Sequence, residues 1–213
     1  MKRKIILSCL FLLVFTFGRF ASADESIKVD NVHVRTWNKF ATDTLALHEK
    51  LITEIPHSVK TKLGGYAGKP EFYKEDSYYA KNNDKLISRV QWERENSANL
   101  HAIEVFIRDV QGRVMRDYTA AYLPAYRNAP IQTLVSFHEY NGELHAFRSF
   151  DASGDRIVER CTGTLKGKDV NLLLDEDEIY AAIEGRSNVM EQADYQACFK
   201  GMPQAPGKYL SPQ

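Results

Sequence analysis

The chain has 213 residues, with 28 basic and 28 acidic side chains, 44% hydrophobic and 11% aromatic content. These values describe one globular domain, or at most two small ones. They exclude a disordered polyelectrolyte, a collagen-like repeat and a large catalytic assembly.

Residues 1–23 have the form of a secretory signal peptide. Lys2, Arg3 and Lys4 precede an apolar run from Ile5 to Phe17, and Ala21-Ser22-Ala23 offers the small side chains that a signal peptidase pocket admits. A 13-residue apolar run spans about 20 Å as a helix, too short for a hydrocarbon layer of ~30 Å, so a membrane anchor is the weaker reading. Removal of this segment takes four basic residues and no acid, leaving 24 basic and 28 acidic side chains. A net charge of −4 with no basic cluster gives no electrostatic case for nucleic acid. Nothing after residue 23 is apolar enough to span a membrane, so the expected location is periplasmic or secreted. Of the three cysteines, Cys9 leaves with the signal, and Cys161 and Cys198 are expected to pair as a disulfide in an oxidising compartment.

In chain order, the first expected element is a helix over about 36–55. Trp37, Phe40, Ala41, Leu47, Leu51 and Ile55 recur at three- and four-residue steps, and Pro56 stops the helix. Leu63-Gly64-Gly65-Tyr66-Ala67-Gly68-Lys69-Pro70 is read as a flexible loop. From Glu71 the period changes to two, with strands expected over 71–80, 86–94, 100–108, 113–122, 131–140, 143–150, 156–164 and 169–174. Short turn-forming clusters separate most of them, so neighbours should pair antiparallel. Asp109-Val110-Gln111-Gly112 and Asp151-Ala152-Ser153-Gly154 share a D-x-x-G pattern suited to type I turns. Only the stretch through Pro124 and Pro130 is long enough to form a lid or cross an edge. The acidic run Asp175–Glu178 is read as the start of a helix, and residues 201–213, with Pro203, Pro206 and Pro212, as a flexible tail.

The expected fold class is therefore α+β over residues 24–200. An antiparallel meander of about eight strands, a curved sheet or half-barrel, packs with the N-terminal helix and short C-terminal helices. In layout this resembles secreted up-and-down barrels such as lipocalins or lipoprotein carriers, without any motif of either.

Catalytic signatures are missing: there is no H-E-x-x-H, no G-x-S-x-G and no dinucleotide fingerprint. One constellation follows from a hairpin. If Asn141-Gly142 forms the two-residue turn, Tyr140 faces Glu143 and His138 faces His145, which would put two imidazoles and a carboxylate within reach of a copper or zinc ion. The competing reading is a packed or solvated histidine pair. Tyr73, Tyr79, Tyr118 and Tyr122 are candidate ligand-binding residues, because tyrosine combines large apolar area with a polar tip. The expectation is an exported, non-catalytic binding or accessory protein without a cofactor. Its partner would be an apolar or aromatic small molecule or an envelope protein. The alternative is an enzyme or metal-binding protein with its site around His138, His145 and Glu143.

Overall fold

A computed structural model describes residues 31–212, so the signal-peptide reading of 1–23 lies outside the described residues. Helix α1 runs Val32–Glu54. It begins earlier than its apolar stripe suggests because the Asn31 side chain accepts the backbone N–H of His33 at 2.8 Å, satisfying a donor that helix geometry leaves free. Ile55, held extended by the proline that follows, ends it. The buried stripe is Val34, Phe40, Ala41, Thr44, Leu47 and His48.

Nine strands follow: β1 (His57–Tyr66), β2 (Lys69–Ala80), β3 (Leu86–Glu93), β4 (Leu100–Arg108), β5 (Val114–Ala121), β6 (Gln132–Asn141), β7 (Leu144–Asp151), β8 (Arg156–Leu165) and β9 (Lys168–Asp175). They form one antiparallel sheet in sequential order, β1 at one edge and β9 at the other, not closed into a barrel. The eight expected strands are present. The ninth is β1, which runs into the loop expected over 63–70, and its ladder with β2 runs from His57↔Ala80 to Tyr66↔Lys69. Almost none of β1 is buried. A strand paired along one edge and left largely exposed carries no apolar alternation, so a period-two reading passes over it.

Elsewhere the two faces of the sheet differ. Val90, Ile103, Val105, Tyr118, Ala120, Val135 and Phe150 are fully buried and form one core with Phe40, Ala41 and Leu47 of α1. Burying a side chain of this kind contributes roughly 1.5–3 kcal/mol. The helix therefore fills the concavity, and the sheet encloses no lumen of the lipocalin type. The opposite face carries a row of charges, described below.

The two D-x-x-G turns match each other in detail. Gly112 N–H donates to the Asp109 carbonyl and Gly154 N–H to that of Asp151, while each aspartate side chain accepts two backbone N–H groups across its turn. The acidic run does start a helix. In α2 (Glu176–Ile183), Asp175 and Glu178 form a reciprocal capping box. Helix α3 (Ala193–Phe199) brings Cys198 to Cys161 of β8, bonded with their Cα atoms 6.1 Å apart. Beneath it, Arg148 and Glu159 form a fully buried ion pair. Tyr195 donates its hydroxyl to Glu159 at 2.7 Å and accepts from Arg148 at 3.0 Å. Arg148 also donates to the Pro203 carbonyl at 2.8 Å. The closing residues, expected as a flexible tail, are thus described against the sheet, with Met202 buried and Tyr209 edge-on to Phe137. No helix among the described residues is long and apolar enough to cross a membrane.

Candidate functional site

Two regions of the surface collect unusual chemistry. The first is a cleft of about 640 Å³ where the start of α1 meets the β5–β6 connection. Its walls include Trp37, Leu123, Tyr126, Pro130, Ile131 and Ile157. The Pro-flanked segment is fixed in place by specific bonds rather than by secondary structure. Asn38 of α1 donates to the Asn128 carbonyl at 2.6 Å and accepts from the Tyr122 hydroxyl at 3.1 Å. Arg127 donates to the Leu100 carbonyl at 3.0 Å and pairs with Glu93. On the opposite wall, Trp37 Nε1 reaches Ser153 Oγ at 3.4 Å. Apolar walls with a few polar groups, in a volume of this size, suit a small organic ligand. Tyr126 and Ile131 are each 57% exposed at the mouth.

The second region is the open face. Lys62, Glu75, Arg89 and Glu104 alternate in sign across β1–β4, with contacts of 3.2, 3.2 and 2.9 Å. Burial works to raise the Glu75 carboxyl, but hydrogen bonds from Gln91 and Lys62 and the Arg89 charge hold it below its ordinary value. Glu104 is raised, by burial first, with Asp117 and Glu75 acting in the same direction against Arg89. Beyond Glu104 the row continues as Asp117, His138 and His145 on β5, β6 and β7. Asp117 Oδ2 lies 2.6 Å from His138 Nε2, and His138 Nδ1 lies 3.0 Å from His145 Nε2.

The hairpin carrying this pair corrects the expected register. Asn141 pairs with Leu144, Tyr140 with His145 and His138 with Phe147, so the turn residues are Gly142 and Glu143. Gly142 has φ +64°, whereas Asn141 and Glu143 have negative φ. That is the II′ arrangement, with glycine first, and not the I′ arrangement that Asn-Gly as the central pair would need. The pairs move by two residues, so His138 and His145 stay on one face and meet diagonally, while Glu143 leaves the face for the exposed turn. Gly163 of β8 lets that turn approach: a Cβ there would stand 2.1 Å from the Glu143 carbonyl oxygen.

A metal held by His138, His145 and Glu143 has little support from this geometry. No cluster of three or more His, Cys, Asp or Glu side chains suited to a metal occurs among the described residues. The imidazole rings are inclined by only 16°, with centroids 5.2 Å apart, so they meet edge to edge and the facing nitrogens are spent on the hydrogen bond between them. Chelation would require both rings to turn.

The candidate tyrosines do not assemble. Tyr73 stacks on His101 at 5.3 Å, Tyr79 lies under the Lys60 ammonium at 4.3 Å, and Tyr118 is buried against Phe40. Tyr122 serves as an anchor for Asn38. None of the four lines the cleft. Trp37, Tyr126, Ile131 and Ile157 do, and the sequence places Trp37 only on the apolar stripe of the first helix. The available signal was the proline-flanked connection, the one loop long enough to make a wall. Compared with known proteins, the chain matches no family model, no curated protein and no solved structure.

Proposed function

We propose that this is an exported binding protein that holds an apolar or aromatic small molecule in the cleft between Trp37 and the Pro-flanked loop. The observation that carries this reading is the cleft itself: an apolar recess of about 640 Å³ whose walls are fixed by the Asn38, Arg127 and Trp37 contacts. A recess with pre-set walls loses little freedom when it closes on a ligand. Export rests on the form of residues 1–23 and on the Cys161–Cys198 bond, which suits an oxidising compartment such as the periplasm or the cell exterior.

The test is a fluorescence titration of the mature chain with N-phenyl-1-naphthylamine, an aromatic probe that brightens on leaving water. Saturable binding is expected, weakened at least tenfold by Ile131→Arg, a change at an exposed position that leaves the core intact. Equal binding by wild type and variant, or none by either, would overturn the cleft as the site.

A further inference from the structure

The Asp117–His138–His145 row has a consequence independent of the cleft. A carboxylate only accepts hydrogen bonds, so the proton between Asp117 and His138 sits on His138 Nε2. In the neutral imidazole this leaves His138 Nδ1 as an acceptor, which requires His145 to donate from Nε2. His145 Nδ1 is then left with a bare lone pair. It has no hydrogen-bond partner among the described residues and is not enclosed within the protein. The Tyr140 ring stacks on His145 at 4.5 Å and 3°, and Phe147 flanks His138 at 5.7 Å, which holds both imidazoles in place. Thr162 stands directly opposite His145, and Arg160 lies two residues along the same face.

We propose that His145 is a nucleophilic imidazole, oriented by Asp117 through His138, and that it takes activated acyl groups such as those of aryl esters. Nδ1 attacks the carbonyl carbon, the N–C bond forms, the C–O bond breaks and the aryloxide leaves. The proton on His145 Nε2 passes to His138 Nδ1, where Asp117 offsets the imidazolium charge, and a neutral acyl-imidazole remains. Water then adds to the acyl carbon and gives up one proton to the solvent, the N–C bond breaks, and the carboxylic acid departs as the proton held by His138 Nδ1 returns to His145 Nε2. His145 is the nucleophile, His138 is the base that takes its proton, and Asp117 is the positioning residue, an arrangement in which a third group orients the base of a nucleophile. Burial lowers the His145 pKa, with the His138 and Arg160 charges adding to the effect, so the lone pair is free at neutral pH.

The test uses the mature protein with p-nitrophenyl acetate, together with mass-spectrometric mapping after diethyl pyrocarbonate. Hydrolysis should follow a pH profile with its midpoint below 6.5, and the label should appear on His145 well ahead of exposed His33. Replacing Asp117 by Asn (Asp117→Asn) supplies an N–H to His138 Nε2, reverses both tautomers and puts a proton on His145 Nδ1. Ester hydrolysis and labelling should fall at least tenfold with the circular dichroism spectrum unchanged. Should that variant fail to fold, His138→Gln keeps an acceptor for His145 but removes the base that takes its proton, so ester hydrolysis should fall at least tenfold while labelling of His145 persists. His33→Gln should have no effect. Wild-type labelling of His145 no faster than of His33, or rates unchanged in both relay variants, would overturn the proposal. Binding in the cleft is read with a separate probe and stands or falls independently.

Discussion

At the β7–β9 end of the sheet, Arg148 and Glu159 are wholly buried, Tyr195 and two backbone carbonyls complete their hydrogen bonds, and a disulfide ties α3 to β8. At the β1–β2 end, ten residues of β1 pair with β2 alone, Tyr66 reaches His101 of β4 at 2.6 Å, and from α1 His48 meets Ser88 and Tyr78 on β3 and β2. One end is held by several buried long-range links between elements far apart in sequence, the other mainly by a local hairpin. Stability should therefore be distributed unevenly along one continuous sheet.

The sharpest way to break this comparison is Arg148→Met. It leaves the Glu159 carboxylate buried without its main partner, at an expected cost of about 3–5 kcal/mol in urea unfolding. The pair change Arg148→Met with Glu159→Leu should recover most of that loss. A single-variant cost below about 1 kcal/mol would show that the ion pair does not hold this end.

Reduction of Cys161–Cys198 should remove about 2–4 kcal/mol, the usual range for a loop of this size. Hydrogen exchange should then show α3 and the closing residues losing protection first, with the β1–β2 hairpin unchanged. Uniform loss across the sheet would argue that the two ends form one cooperative unit.

Acid should act on the other end. Burial, with the nearby His57 charge, lowers the His48 pKa from 6.5 to about 4. The unfolded chain takes up this proton first, so the contribution is complete above pH 6.5, declines as pH falls toward 4 and is flat below that. At most about 3 kcal/mol is involved, from 1.36 kcal/mol per pKa unit. His48→Gln should flatten the pH dependence of unfolding between 4 and 6.5, and an unchanged slope would assign it to other groups.

The smallest effect belongs to β1 itself. Val59 and Leu63 are each 47% exposed, so Val59→Thr and Leu63→Thr should change stability by no more than about 0.5 kcal/mol. A larger loss would mean that something covers this edge in solution.

Much of the fold is legible in the residues alone because its causes are local. The stripe of Phe40, Ala41 and Leu47 follows from helical periodicity, eight strands from alternation and turn chemistry, and the α2 start from Asp175 and Glu178, which cap the same few N–H groups that their neighbours leave free. The cysteine pairing follows from Cys161 and Cys198 being the two cysteines beyond the apolar run of residues 5–17. Where local chemistry is ambiguous, as at Asn141-Gly142, two turn types fit and only the ladder with β7 chooses between them.

Tertiary structure alone decided the rest. Whether a meander closes into a barrel or stays open depends on accumulated twist and on what fills the concavity, and here α1 fills it. The cleft exists because Asn38, Trp37 and the Pro-flanked loop converge from positions some 90 residues apart or more. The same holds for the buried Arg148–Glu159–Tyr195 group and the Asp117–His138–His145 row. Periodicity records which way a side chain faces, but a hydrogen bond between strands depends on register and distance, which no single segment carries.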